Sequence, residues 1–116
     1  MALPKASDHR FTYADYQKWP DGERWELIDG EAYAMSPAPT IKHQTLVLDI
    51  ARQIADTLDG APCRALIAPV DVLLPAPDEA EDQVATVVQP DILVVCDPKK
   101  ITERNVRGAP DWIIEV

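Results

Sequence analysis

One long amphipathic helix is the clearest element that the pattern of hydrophobic positions predicts. Its apolar residues recur at helical spacing and form one stripe: Val47, Ile50, Ala51, Ile54 and Leu58. Thr40 is placed to cap the N-terminus and Gly60 to close the C-terminus, so we predict a helix from Thr40 to about Leu58. His43 lies four residues before Val47 and continues the stripe at the first turn.

A shorter helix and a β-hairpin precede this element. A T-x-x-D capping pattern begins at Thr12 and predicts a helix over residues 13–18. Residues 24–35 alternate around Asp29-Gly30, a pair that is favoured in type I′ turns, and so predict a hairpin. The proline-rich residues 36–39 then predict a rigid connector to the long helix.

Short apolar runs dominate the rest of the chain. They predict strands at residues 64–68, 70–74, 86–88, 92–96 and 111–116. The fourth run is apolar at every position, which is typical of a strand buried on both faces. Residues 75–85 carry four acids and two prolines and predict a solvated loop or a mobile connection, while residues 97–110 predict a polar connector. The order of elements predicts a mixed α/β (α+β) fold with a central sheet, in a single domain over residues 1–116.

The chain stops inside its last apolar run, at Val116. Glycine, proline or polar residues are expected at the natural edge of a domain. We therefore expect the domain to be truncated at its C-terminus, with its sheet incomplete.

Composition and charge exclude several classes of protein. Apolar residues make up 47% of the chain, which favours a packed core, and the net charge of −9 argues against a simple electrostatic nucleic-acid binder. An enzyme that acts on nucleic acid would need another source of positive charge, and metal ions are the obvious one. No apolar run approaches the roughly 20 residues of a membrane span, so we expect no membrane association. Cys63 and Cys96 form no CxxC pair, and we interpret them as reduced thiols of a cytoplasmic protein.

Two acids stand at apolar strands, where carboxylates are seldom buried unless they are paired or bound to metal. Asp91 lies at the entrance of the run at 92–96, and Glu115 lies inside the last run. On neighbouring strands they could hold a divalent cation, because Mg²⁺ takes one or two carboxylates together with water and phosphate oxygens. In the structural alternative, Asp91 caps a turn after Pro90 and Glu115 faces solvent on an edge strand.

Glu26 and His43 are weaker candidates. At the N-terminus of its helix, His43 could contact a phosphate, ligate a metal or relay a proton, or it could simply cover the edge of the core. Glu26 could equally pair with Arg24 or Arg64 across strands. The basic cluster at residues 99–107 could contact a phosphate backbone, although such runs are more often solvated loops.

Three blocks of sequence occur in this order: FTYADYQKWPDGERWELIDGEAYAMSPAPTIKHQ, VQPDILVVCDP and GAPDWIIEV. Together, over about residues 11–116, they resemble the Uma-type family of bacterial endonucleases, which belongs to the PD-(D/E)xK nuclease superfamily. The resemblance implies a restriction-endonuclease-like core, a mixed sheet flanked by helices, that binds Mg²⁺ or Mn²⁺ and cleaves DNA. Asp91 matches the aspartate of the family's PD and Glu115 its (D/E), which implies that they are the metal ligands. Glu26 matches the glutamate of the ELIDG block and His43 the helix histidine, and the family gathers these four residues near one site.

The chain departs from the superfamily pattern at its lysine. That lysine follows the second acid by two positions, which is just beyond Val116. No catalytic lysine can be assigned, because nothing in the sequence places Lys99 or Lys100 near the acids. We therefore expect this chain, taken alone, to cleave weakly or not at all.

Three hypotheses for function compete at this point. The first is a metal-dependent endonuclease that hydrolyses DNA phosphodiester bonds. The second is a catalytically inactive remnant that acts as an oligomerisation or protein-interaction module, with exposed sheet edges pairing into a homodimer or a higher oligomer. The third is a protein whose acidic loop at residues 75–85 binds a basic partner or a cation.

Overall fold

The computed structural model describes residues 10–35 and 38–116, so the predicted connector at 36–39 lies partly outside the described residues. Within the described ranges the helices are α1 (Tyr13–Tyr16) and α2 (Ile41–Thr57). The strands are β1 (Trp25–Ile28), β2 (Glu31–Ala34), β3 (Arg64–Ile67), β4 (Asp71–Leu73), β5 (Val87–Val88), β6 (Ile92–Val95), β7 (Asn105–Arg107) and β8 (Trp112–Ile114). Their sheets have the orders β2-β1-β5-β4-β7 and β3-β6-β8. The predicted mixed α+β class is confirmed.

The first of two compact units comprises Met1–Ala38 and Leu73–Val88. Its hairpin pairs β1 with β2 in antiparallel register. Asp29 and Gly30 both have positive φ, 50° and 82°, as a type I′ turn requires, so the predicted hairpin is confirmed. The buried side chains of this unit's core are Tyr13, Leu27, Ala32, Leu73, Val84 and Val87.

Helix α1 is a single turn and is shorter than the predicted helix over 13–18. The backbone N–H of Thr12 donates to the Asp15 carboxylate at 2.9 Å, as the capping pattern predicts. Pro20 disfavours helical geometry at Trp19, which explains why the helix does not continue.

The acidic loop at residues 75–85 is anchored, and the prediction of a solvated loop is wrong in part. Val84 is fully buried, and its carbonyl oxygen accepts a hydrogen bond from the Tyr13 N–H at 2.8 Å. A 3₁₀ turn at Glu81–Gln83 precedes Val84 and brings it into the core. One buried valine in a polar segment gives no periodic signal, so the sequence could not reveal this anchor.

The second unit comprises Pro39–Val72 and Gln89–Val116. Strand β6 lies in the middle of its three-stranded sheet and pairs antiparallel with β3 and β8. Every residue of β6 is buried, as predicted for a strand covered on both faces. The single domain over residues 1–116 stays a prediction.

Helix α2 matches its prediction closely. The Thr40 hydroxyl oxygen accepts a hydrogen bond from the His43 backbone N–H at 3.1 Å and so caps the helix. Val47 in the apolar stripe is buried, whereas Leu48 on the other side is 67% exposed. His43 is partly buried, in line with its place on the stripe.

The interpretation of the cysteines as reduced thiols is wrong, because Cys63 and Cys96 form a disulfide. Arg64 pairs with Val95 across β3 and β6, so the next residues outward, Cys63 and Cys96, face each other. The sequence hid this pairing because 33 positions separate the two residues. The cysteines no longer support the cytoplasmic location, which stays a prediction. In the described part of the chain, no helix has the length and apolar character that crossing a membrane requires.

Strand β7 lies within the segment predicted as a polar connector, so this part of the prediction is wrong. Asn105 at its start is buried, and its N–H donates to the Thr102 hydroxyl at 3.0 Å. The side-chain oxygen of Asn105 accepts a hydrogen bond from the same hydroxyl at 2.9 Å. These bonds pair the backbone N–H and the side-chain oxygen of Asn105 with Thr102, which lowers the cost of burying a polar residue in this strand.

Adjacent positions on β1 offer a matched test of the hairpin's buried face. Leu27→Ala will lower the free energy of unfolding by about 2–5 kcal/mol, because it leaves a cavity in a core where Leu27 is fully buried. Ile28→Ala, at a position that is 48% exposed, will cost less than about 1 kcal/mol. Urea denaturation followed by circular dichroism measures both losses. Equal losses would contradict the assignment of the two faces.

Candidate functional site

The candidate site lies at one end of the three-stranded sheet, where β6 begins and β8 ends. In the antiparallel pairing of these strands, Ile92 lies opposite Ile114. The next position outward is Asp91 on one strand and Glu115 on the other, so the register brings these two acids to the same end.

Hydrogen bonds from both neighbouring strands fix Asp91. The Val116 backbone N–H donates to Asp91 Oδ2 at 2.8 Å, and the Asp91 N–H lies 3.4 Å from Glu115 Oε1. On the β3 side, the Asp91 carbonyl accepts a hydrogen bond from the Ala68 N–H at 3.0 Å. The Asp91 carboxylate thus accepts its hydrogen bond from Val116, at the end of the neighbouring strand. The structural alternative had expected it to cap a turn after Pro90.

His43 reaches this pair from the first turn of α2. Its Nε2 lies 3.4 Å from Asp91 Oδ2, and the two side chains are 22% and 20% exposed. Its Nδ1 lies 2.8 Å from Gln44 Oε1. Because Thr40 also fixes the backbone of His43, the imidazole is held between an amide oxygen and a carboxylate.

These contacts raise the pKa of His43 above its ordinary value of 6.5. The hydrogen bond to Gln44 contributes most, and the charge and hydrogen bond of Asp91 and the Val116 backbone act in the same direction. Partial removal from water opposes them, since burial disfavours a charged imidazolium. The arrangement therefore stabilises the protonated ring more than the surroundings of an ordinary histidine do.

The structure thus brings three of the four predicted site residues together: Asp91, Glu115 and His43. Glu26 belongs to the first unit, where it lies on β1 opposite Tyr33 of the hairpin. Its place at the site stays a prediction from the resemblance. Glu115 is exposed at the sheet edge, which agrees with one part of the structural alternative.

The donor set is small for a metal centre. Among residues 10–35 and 38–116, no group of three or more His, Cys, Asp or Glu side chains is arranged to hold a metal ion. A site made by Asp91 and Glu115 would therefore take its remaining ligands from water and substrate, as Mg²⁺ commonly does.

Lys99 and Lys100 lie beyond the opposite end of β6 from Asp91, in a 3₁₀ turn. The Lys100 ammonium donates to the Ala109 carbonyl oxygen at 2.9 Å and so braces the local loop. Neither residue is assigned as a catalytic lysine.

The family model of Uma2, described as "Putative restriction endonuclease", matches residues 13–116. The chain belongs to the Uma2 family. The match includes the segments that carry Asp91, Glu115, His43 and Glu26, and it confirms the resemblance drawn from the three sequence blocks. The α+β architecture agrees with the restriction-endonuclease-like fold of this family. No curated protein matches the chain.

Two contributors to the site were missed from the sequence. Gln44 follows His43 directly in the chain, and its amide could have been recognised as a local partner for the imidazole. The Val116 backbone N–H offers no such signal, because its bond to Asp91 exists only in the β6-β8 register.

The raised pKa of His43 predicts a pH dependence that can be measured in chelator-treated protein. NMR titration will give His43 a pKa above 6.5, and Gln44→Leu will lower that pKa by removing its largest cause. A raised folded-state pKa contributes stability that is fully present below the unfolded value and is lost as pH rises through the folded value. The stability advantage of the wild type over His43→Gln will therefore be largest below pH 6.5 and will shrink as pH rises through the folded-state pKa of His43. An advantage that grows over this range would contradict the described contacts.

Proposed function

We propose that this Uma2 chain carries the metal site of an endonuclease, in which Asp91 and Glu115 hold Mg²⁺ or Mn²⁺ and DNA is the substrate. The observation that carries the proposal is the position of both acids at one end of β6 and β8, where Glu115 Oε1 lies 3.4 Å from the Asp91 N–H and His43 Nε2 lies 3.4 Å from Asp91 Oδ2. Membership of a restriction endonuclease family supports nuclease activity in general.

The chemistry of the donors fits a hard divalent cation. Two carboxylates are the number that Mg²⁺ usually takes from protein, with water and phosphate oxygens completing its octahedron. When bound, the ion would polarise the scissile phosphate and lower the pKa of an attacking water.

Charge supports the same proposal. The second unit carries nine acidic and seven basic residues, a net charge of −2, and the two proposed ligands are among those acids. A divalent cation at Asp91 and Glu115 would offset this excess where a phosphate backbone must approach. The strongly negative net charge of the whole chain is therefore compatible with DNA as a partner.

His43 is proposed to contact phosphate or to orient water. With Nδ1 against the Gln44 amide oxygen, Nε2 is the ring nitrogen that faces Asp91. A protonated Nε2 would donate a hydrogen bond to a phosphate oxygen beside the ligand carboxylate. Glu26 is proposed as a further acid of the site, on the resemblance alone.

Calorimetry with Mn²⁺ tests the metal site without requiring cleavage. Asp91→Asn will weaken Mn²⁺ binding by at least about tenfold, because it replaces an anionic ligand with a neutral amide. Glu103→Gln is the matched control, since it removes one negative charge from an exposed position of the same unit. Equal binding by the wild type and Asp91→Asn, with both variants folded by circular dichroism, would exclude Asp91 as a ligand.

Nuclease activity needs its own measurement, on supercoiled plasmid with Mg²⁺ or Mn²⁺. Any cleavage by the wild type will be lost in Asp91→Asn and kept in Glu103→Gln. Cleavage that persists in Asp91→Asn would show that the activity comes from elsewhere. Mn²⁺ binding without cleavage would separate the metal site from catalysis.

Self-association is a second candidate function, and the exposed edge at β8 favours it. Within the described residues β8 pairs with β6 and forms the edge of the three-stranded sheet. Trp112 and Ile113 on this strand are 54% and 50% exposed, and a short apolar edge strand is a template for pairing with another chain.

Light scattering after size exclusion tests the pairing of two β8 edges. The wild type will elute as a dimer at high concentration, and Ile113→Lys will shift it to a monomer, because a lysine on an edge strand opposes pairing. A wild type that is monomeric at every concentration would contradict this second function. Lys18→Gln, a change in the other unit, serves as a charge control.

A further inference from the structure

A small cleft with a volume of about 230 Å³ opens in the first unit, beside the hairpin. The residues that line it are Phe11, Trp19, Pro20, Glu23, Trp25 and Ala32. None of them is among the residues proposed for the metal site. Its volume is below the roughly 300–1,000 Å³ typical of sites for drug-sized ligands, which favours a single compact group as its occupant.

Three of the six lining residues are aromatic: Phe11, Trp19 and Trp25. The ring centroid of Trp19 lies 5.3 Å from that of Phe11, with the planes inclined at 79°. It lies 5.5 Å from that of Trp25, with the planes inclined at 59°. Rings inclined so steeply do not form one flat platform on which a nucleobase could stack. The rings pack against one another and present inclined surfaces to the cleft, which suits a compact rounded group better than a flat one.

The charge of the lining is negative. Glu23 is the one charged residue among the six, and its Oε2 accepts a hydrogen bond from Trp25 Nε1–H at 3.1 Å. This bond holds a carboxylate against an indole ring of the cleft. The whole unit carries 11 acidic and four basic residues, a net charge of −7, so the surrounding field also favours a cation.

We propose that this cleft binds a trimethylammonium group, with Trp19 and Trp25 as its aromatic walls and Glu23 as its counter-ion. The faces of indole rings attract cations, and a methylated ammonium keeps its charge while presenting an apolar surface to the rings. An unmethylated ammonium would have to give up a tightly held water shell in a cleft whose walls are mostly apolar. The occupant is a free quaternary amine or a trimethylated lysine side chain, which share this chemistry.

Choline and its neutral isostere 3,3-dimethylbutan-1-ol test the proposal, because they differ in charge and not in shape. Two-dimensional NMR of the indole N–H groups follows binding, with Trp112 of the other unit as an internal reference. Choline will shift the signals of Trp19 and Trp25 but not that of Trp112, and it will bind at least about fivefold more tightly than the isostere. Equal affinities, or no shift of Trp19 and Trp25 at the highest choline concentration, would overturn the proposal.

Two charge variants locate the counter-ion. Glu23→Gln will weaken choline binding by about twofold to fivefold and leave binding of the isostere unchanged. Asp21→Asn, an equal charge change two positions away at a residue outside the lining, will leave both unchanged. Equal losses in the two variants would contradict the role of Glu23. Because Glu23 is exposed, the test can be made without substituting any of the packed aromatic residues.

Two further ligands decide the source and the class of the occupant. A trimethyl-lysine peptide that binds more tightly than choline would identify a protein partner, and the reverse would identify a free amine. A deoxynucleoside monophosphate that shifts Trp19 and Trp25 more strongly than choline does would overturn the proposal in favour of a nucleotide.

Discussion

The antiparallel pairing of β6 with β8 is the constraint on which the candidate site depends. Its register places Ile92 opposite Ile114, and so Asp91 beside Glu115. A slip by one residue would move one acid by about 3.3 Å and turn its side chain to the other face of the sheet. The hydrophobic pattern of β6 does not set this register by itself, because every residue of the strand is buried and both of its faces are apolar. The backbone pairing with β8 and the hydrogen bond from the Val116 N–H to the Asp91 carboxylate hold the two acids at the same end of the sheet.

The helix that brings His43 to this edge depends on local signals, and the sequence revealed them. Thr40 caps α2, the apolar stripe packs, and His43 lies at its first turn as predicted. The hairpin turn at Asp29-Gly30 and the fully buried β6 were equally predictable, since each follows from a few neighbouring residues. Asp91 and Glu115 were predicted as metal ligands because both are acids at apolar runs of the sequence. The structure places them at the same end of the sheet.

Features that depend on distant residues could not be predicted in the same way. The disulfide between Cys63 and Cys96 needs the β3-β6 register, and the Val116 bond to Asp91 needs the β6-β8 register. Val84 anchors the acidic loop, and its carbonyl oxygen accepts a hydrogen bond from the N–H of Tyr13, which lies far away in the chain. Hydrophobic periodicity indicates which face of a helix or strand is apolar. It does not indicate which distant residue that face will contact.

Anomalous diffraction from crystals of this chain grown with Mn²⁺ is the most direct test of the central claim. The account predicts one anomalous peak between the β6 and β8 ends, with oxygens of Asp91 and Glu115 about 2.1 Å from it. A peak bound by other residues would contradict the account. The absence of a peak, with the Asp91 bond to Val116 and its contact with His43 both intact, would contradict it as well.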